Sequence, residues 1–466
     1  MTRLPALLFA LLFPSLALAA PTSPFEGAWE GALDVGAIKL RLVLKLHQSG
    51  ARWEATLDSI DQGASGIPVD EVIIDGDHIT LAMPKLSAGY EARRDGQKLV
   101  GTWKQGGGLP LTLTHTEHPV AIARKPQEPI PPLPYDAIDL TIDNKVGKAT
   151  LACTLTHPRD VAKAPAVILI TGSGPQDRDE QLLGHKPFLV IADSLTRRGI
   201  AVLRCDDRGV AKSTGDLAHA TTMDFVGDVV AELAALRARP DIDPARVGLC
   251  GHSEGGLIAP IVASQSKDVA FIVLLAGPGV VGEQILYAQG EAIERAAGTS
   301  EAEIKSSHEL RARMFAVLKT EKDDAVIEKK LRALLEALPE ADRKKAGLTR
   351  EAMGVPIRQM MAPWFRAFLV LDPAPYLKKV TVPVLALNGE HDLQVPPKQN
   401  LPALTAALAG NKDVTTRELP GLNHLFQTCK TGSPAEYATI EETFAPSALT
   451  LLGDWIVAHV KAPSGK

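Results

Sequence analysis

Hydrophobic and polar positions change rhythm along this chain. From Pro21 to about His118 the period is two. Ile38, Leu40, Leu42, Leu44 and Leu46 alternate with Lys39, Arg41 and Lys45, the pattern of a strand with one buried face. Further short strands are expected at Val72–Ile74, His78–Met83, Leu99–Trp103 and Leu111–Leu113, separated by turns such as Asp75-Gly76-Asp77 and Gly106-Gly107-Gly108. Residues 21–118 therefore read as a small antiparallel β domain, a meander that is barrel-like or sandwich-like. Trp29, Trp53 and Trp103 are expected in its core rather than along a ligand groove.

Residues 119–134 form a connector, with five prolines between Pro126 and Pro134 that favour an extended, semi-rigid chain. Beyond it, short apolar runs alternate with helical patterns. The runs at Ala166–Thr171, Ile200–Cys205, Val247–Gly251, Phe271–Ala276 and Val382–Leu387 are the type buried on both faces of a parallel sheet. Val226, Val229, Val230 and Leu233 lie on one helix face. Residues 135–279 and 380–466 thus predict an α/β fold, a mostly parallel sheet flanked by helices. Residues 280–379 interrupt it as a helical insertion. Its middle, Glu301–Lys345, is dense in Glu, Lys and Arg and reads as solvated helix faces. Its end carries Met361, Trp364 and Phe365, which could roof an acyl pocket or pack inside the insertion itself.

Composition narrows the class. Apolar residues are 45% and charged residues 23%, as in a folded globular protein. Lys and Arg total 50 against 55 Asp and Glu, a net −5, which argues against a nucleic-acid partner because such binding needs a basic surface. Residues 1–20 read as a signal peptide: Arg3, an apolar run from Leu4 to Leu18, then small residues ending at Ala19 and Ala20. The run is shorter than the ~20 residues needed to span a bilayer. The expected location is periplasmic or secreted, with no membrane span. Four cysteines cannot frame so long a chain. No H-E-x-x-H or C-x-x-C pair points to a metal, and no cofactor is expected.

The chemistry concentrates at Gly251-His252-Ser253-Glu254-Gly255, a G-x-S-x-G pentapeptide between a strand and a helical pattern. In that setting Ser253 is the expected nucleophile. A serine hydroxyl needs a base, and the base needs an orienting carboxylate further along the chain. Asp392, just after the Val382–Leu387 strand, fits the carboxylate, with Glu390 as its rival. His424, in Gly421-Leu422-Asn423-His424, fits the base; His459 sits in a terminal amphipathic helix. The expected oxyanion donors are the backbone N–H of Glu254 and that of Ser173 or Gly174.

Together, Gly172-Ser173-Gly174-Pro175-Gln176-Asp177-Arg178-Asp179, the Asp206-Asp207-Arg208-Gly209 turn, the elbow, Gly389-Glu390-His391-Asp392 and Asn423-His424 resemble the α/β-hydrolase superfamily over about residues 135–466. Exported bacterial esterases and proline-iminopeptidase-like serine aminopeptidases share these features. The resemblance implies a serine hydrolase that cleaves a small-molecule carboxylic ester through an acyl-enzyme. An aminopeptidase or amidase, and a non-catalytic binding protein on the same scaffold, are the alternatives. Glu283, Glu291 and Glu294 are the candidates to bind a substrate amine. The family's sheet order places the strands ending at Cys205 and Cys250 on either side of Ala166–Thr171, ~9.6 Å apart, too far for a disulfide. Both cysteines are therefore expected to be reduced. Cys153 and Cys429 have no assigned place.

Overall fold

The computed structural model describes residues 23–34, 39–50, 52–86, 88–105, 107–122, 124–345, 348–349 and 352–460. The signal peptide expected at 1–20, Ile38 and Gly106 lie outside the described residues. The chain divides into two compact units, one of Met1–Asp58 with Ser65–Val120, the other of Ser59–Ala64 with Ala121–Lys466.

In the first unit, Gly27–Asp34 (β1), Lys39–Ser49 (β2), Arg52–Ser59 (β3), Ala64–Val69 (β4), Glu71–Asp75 (β5), His78–Met83 (β6), Ala88–Asp95 (β7), Lys98–Gln105 (β8) and Gly108–Thr116 (β9) build one sheet. Its order is β4-β3-β2-β1-β9-β8-β7-β6-β5, so this is a meander in a single sheet, not a two-sheet sandwich. The alternation seen in the sequence puts one face of these strands into one apolar cluster. Trp29 lies opposite Leu44, and Tyr90 opposite Trp103, and all four side chains are buried. Trp53 packs on the edge of the same cluster.

In the second unit, Tyr135–Asn144 (β10), Ala149–Pro158 (β11), Ala164–Ile170 (β12), Ala201–Cys205 (β13), Ile242–His252 (β14), Ile272–Leu275 (β15), Val384–Gly389 (β16) and Val414–Leu419 (β17) form a mixed sheet in the order β10-β11-β13-β12-β14-β15-β16-β17. From β13 to β17 all pairings are parallel, and β10 and β11 add an antiparallel edge. β12 shows why its sequence is continuously apolar. Ala166, Ile168 and Ile170 enter the cluster on one face, Val167 and Leu169 the cluster on the other. Each such side chain, fully buried, contributes ~1.5–3 kcal/mol. Pro187–Thr196 (α1), Thr222–Arg237 (α2) and Gly255–Gln265 (α3) cover the sheet together with Pro397–Ala407 (α11) and Pro446–Val460 (α12).

Between β15 and β16 runs the helical insertion: Gly282–Ala296 (α4), Glu301–Thr320 (α5), Asp324–Glu336 (α6), Glu340–Lys345 (α7), Gly354–Met361 (α8), Pro363–Val370 (α9) and Ala374–Leu377 (α10). It has a core of its own around Phe315, Ile327, Leu331 and Ile357. The charged residues of α5 and α6 face outward, and both helices carry side-chain caps, from Ser300 and Asp323.

The β11 edge corrects the expectation for the cysteines. Cys250 is free and buried, but Cys205 is bonded to Cys153, directly opposite it across the β11–β13 ladder. The two-spacing argument applies to Cys205 and Cys250 only. The sequence reading placed no strand on the far side of β13, which is where the true partner sits.

The proline-rich connector is tied to the segment before α12 by Gln127, and Lys125 adds a bond to the carbonyl of Ile440 at 2.8 Å. Gln127 Nε2 donates to the carbonyl of Phe444 at 2.7 Å, and its Oε1 accepts from the N–H groups of Thr443 and Phe444 at 2.6 and 3.0 Å. Gln127→Ala should lower stability by ~1–2 kcal/mol, a fall of a few degrees in Tm, measured by thermal melts. On α2, Glu232 is buried, has no hydrogen bond or ion pair among the described residues, and lines a cavity of about 30 Å³ with Asp207 and Glu254. Burial pushes its carboxyl well above the usual range, and the charges of Asp228 and Asp207 add to this. A carboxyl raised in the folded state binds more protons folded than unfolded. Its contribution to stability is therefore lost as the pH rises above the ordinary carboxylate range. Urea melts at pH 5 and pH 8 should show a smaller loss for Glu232→Gln than for the parent chain.

Candidate active site

β14 runs into the elbow and α3 leaves it, which forces a turn too tight for side chains on its flanks. A Cβ on Gly251 would sit 2.0 Å from the carbonyl oxygen of Gly255, and one on Gly255 would sit 2.2 Å from that of Ile170. Ser253, between them, has φ +52°, a left-handed conformation that costs a non-glycine residue ~1–3 kcal/mol. It is held there by its own N–H, which donates to Leu275 O at 2.8 Å, and by its carbonyl, which accepts from Gly256 N–H at 2.9 Å. The result is a serine that stands partly exposed at the carboxyl end of the parallel strands.

Two loops at the same end of the sheet bring up the other groups. After β16, Asp392 is buried, and its Oδ1 accepts the N–H groups of Gln394 and Val395 at 2.9 and 2.8 Å. After β17, Asn423 ties a tight turn by accepting from the N–H groups of Leu425 and Gln427 at 3.0 and 2.9 Å. That turn presents His424, whose Nδ1 donates to Asp392 Oδ2 at 2.9 Å with both side chains buried. Glu390 instead points outward, where it accepts from Gly421 N–H. His459 lies within α12 and donates to Trp455 O. The geometry therefore pairs His424 with Asp392, not with Glu390. Among the described residues Ser253 Oγ has no hydrogen-bond partner; such contacts tighten when substrate arrives.

Glu254 caps the start of α3, and among the described residues its N–H has no acceptor, nor do those of Ser173 and Gly174 in the exposed loop after β12. Gly172 lies between them and the elbow: a Cβ there would come within 3.3 Å of Ser253 Cβ. The loop is held by the D-x-R-G turn. Arg178 makes a forked pair with Asp206 at 2.9 and 2.8 Å, Asp207 accepts from Thr171 and from Gln176 N–H, and Arg208 forks onto Asp228. These motif residues build the loop.

The side chain of Glu254 was not expected to matter, yet it meets the insertion. Trp364 Nε1 lies 2.8 and 2.9 Å from its two oxygens, and Thr222 donates to Oε1 at 2.6 Å. Burial raises this carboxyl, against the two hydrogen bonds, which lower it. Trp364 stacks on Phe368 and packs against the sheet's helical face, whereas Met361 and Phe365 pack into the insertion's own core. Only Trp364 of the three pocket candidates thus contacts the elbow segment. Glu283 pairs with Lys319, Glu291 with His308, and Glu294 with Arg311. A second unexpected feature is the buried pair of Glu180 and His252 next to Ser253.

Among the described residues no helix is long and apolar enough to cross a membrane. A curated relative, esterase EstD of Thermotoga maritima, is 26% identical over 309 residues, covering 66% of this chain and 64% of that protein. The chain thus spans somewhat under two thirds of that relative's length. Among solved structures, a Pyrococcus furiosus esterase is 14% identical over 70% of this chain and 91% of its own, with a TM-score of 0.43. Est1E of Butyrivibrio proteoclasticus, solved with ferulic acid bound, is 16% identical over 69% and 99%, with a TM-score of 0.40. The family model described as serine aminopeptidase, S33, matches residues 187–428, more than half of the chain. That match runs from the first residue of α1 to just beyond His424, taking in the elbow, both carboxyl-end loops and the whole insertion, and the chain belongs to the S33 serine aminopeptidase family, on the α/β-hydrolase fold.

Proposed function

We propose that this protein is an exported serine hydrolase that cleaves carboxylic esters of small molecules through an acyl-enzyme. The observation that carries the reading is the buried His424–Asp392 pair at 2.9 Å beside a serine held at φ +52° on a strand-to-helix turn. In the proposed reaction Ser253 Oγ attacks the ester carbonyl carbon as its proton passes to His424 Nε2. Asp392 keeps the other ring proton on Nδ1 and stabilises the imidazolium. The N–H of Glu254 and that of Ser173 or Gly174 receive the oxyanion. Collapse breaks the bond to the alcohol, which leaves with the proton from His424, and the acyl group stays on Ser253. Water then attacks the acyl carbon, its proton going to His424 and on to Ser253 as the acid departs.

An ester is favoured over a peptide amine terminus by the state of the insertion's carboxylates. Glu283, Glu291 and Glu294 each already face a basic side chain, so none is free to receive a substrate ammonium. The curated relative carries the name of an esterase, in agreement with this choice. Export is supported by the Cys153–Cys205 disulfide, a bond that persists in oxidising compartments.

Two outcomes check the proposal. On a panel of short-chain and long-chain aryl esters beside aminoacyl and prolyl arylamides, the esters should be turned over and the arylamides should not, with all turnover lost in a folded Ser253→Ala. Faster cleavage of the arylamides would replace the esterase reading with the aminopeptidase one. Separately, Asp392→Asn should lower kcat by ~10⁴ because it leaves His424 in the wrong tautomer, while Glu390→Gln should leave kcat within about twofold, as expected of a group outside the transition state.

A further inference from the structure

His252, the residue before the nucleophile, occupies a position that explains more than its place in a pentapeptide. It is the last residue of β14 and is buried. Its Nδ1 lies 2.9 Å from Glu180 Oε1, and its Nε2 lies 3.0 Å from the backbone carbonyl oxygen of His424. Both neighbours are acceptors. Glu180 Oε1 already accepts the N–H of Gly172 at 2.6 Å, and a backbone carbonyl cannot donate. Both ring nitrogens of His252 must therefore carry hydrogen, which makes the ring an imidazolium. In the neutral ring one lone pair would face an oxygen at hydrogen-bond distance and leave a buried acceptor unmet.

From this geometry we infer that His252 and Glu180 form a second histidine–carboxylate ion pair, one that positions the oxyanion loop and the His424 loop around Ser253. The inference rests on the roles proposed above for Ser253 and His424. Glu180 reaches the oxyanion loop through Gly172 N–H, and His252 reaches the base through its main chain. The chain of contacts joins loops that follow three different strands, β12, β14 and β17. Both residues are positioning residues, since neither contacts the reacting atoms.

The surroundings favour the charged ring. Glu180 faces it from the loop after β12, Asp392 from the loop after β16, and the His424 ring lies tilted against it at 47°, with centroids 4.8 Å apart. Cys250 on its own strand stays a neutral thiol because burial pushes its ionisation up, and Asp207 lies beyond Glu180. Burial by itself would lower the His252 pKa; the charge and hydrogen bond of Glu180, the His424 carbonyl and the charge of Asp392 outweigh it and raise the value above that of a free histidine. The charged form is thus lost only as the pH rises through that raised value. Activity would need His424 neutral and His252 charged. A bell-shaped kcat profile follows, with its alkaline limb set by His252.

The test is the pH profile of kcat and KM in the full chain, with an activated aryl ester, for the parent, Glu180→Gln and His252→Gln. Glu180→Gln should move the alkaline limb of kcat down by about one pH unit or more, as expected when the partner charge is removed. It should also lower the maximum about tenfold or more, with KM within about twofold, as expected for misplaced catalytic groups. His252→Gln should lose the alkaline limb, because the titrating group is gone. A fall in kcat with the alkaline limb unmoved in both variants would overturn the inference. Nitrogen-edited NMR of the histidine rings in the unmodified protein gives an answer even if a variant fails to fold. His252 should show two protonated ring nitrogens at the pH of maximal kcat; a neutral tautomer there would overturn the inference. Fluorophosphonate labelling of Ser253 in the parent keeps the two readings apart, since loss of labelling at that serine contradicts the proposed nucleophile and says nothing against the charge on His252.

Discussion

A serine held at φ +52° is an unfavourable backbone conformation, and the second unit is arranged so that it has no alternative. β14 is buried between β12 and β15, so its end is fixed by ladders on both sides. α3 must begin at once, because Gly251, Gly255 and Gly256 let main chain pass main chain at distances no side chain would allow. The strain of ~1–3 kcal/mol is small against the apolar surface buried on the two faces of the sheet. The cost is met by the core, and the benefit appears at the surface as a hydroxyl clear of its own backbone.

The other groups depend on the same edge. Parallel strands end together, so the loops after β12, β16 and β17 converge on the turn that carries Ser253. Asp392 is fixed by two main-chain N–H groups, and His424 by a turn that Asn423 ties from within. His252 then links the loop after β12 to the loop after β17, through Glu180 on one side and the His424 carbonyl on the other. The insertion meets this arrangement where Trp364 bonds to the carboxylate of Glu254.

How much of this could be read from the residues follows from the range of each interaction. Strands with both faces buried announce themselves as apolar runs, so β12 to β16 were legible, with boundaries within two residues except at the start of β14, which begins five residues earlier than expected. The β10–β11 hairpin does show the alternation of strands with one buried face, at Ile138, Leu140 and Ile142 and at Leu151, Cys153 and Leu155, but it lacks the continuous apolar run of its neighbours and was not among the expected elements. The disulfide was hidden for the same reason, since Cys153 lies on that unrecognised edge. Ser253 could be named from local context, and Asp392 and His424 from chain order after two strands. Glu180 and His252 are 72 residues apart and carry no periodic signal. Their only sequence trace is that His252 sits inside the elbow pentapeptide and Glu180 directly follows the Gly172–Asp179 segment, both singled out for another reason. Glu254 was expected to act through its N–H alone, and the contact of its side chain with Trp364, 110 residues away, needed coordinates.

The central claim is covalent: an acyl group passes through Ser253. Intact-mass measurement of the full chain, acid-quenched milliseconds to seconds after mixing with a slowly deacylating aryl ester, tests it most directly. The account predicts a transient species heavier by the acyl group less one hydrogen, mapped by proteolysis to the peptide containing Ser253, forming at least as fast as product accumulates in the steady state. Steady turnover of that ester with no adduct at any time, or with the adduct on another residue, would contradict it.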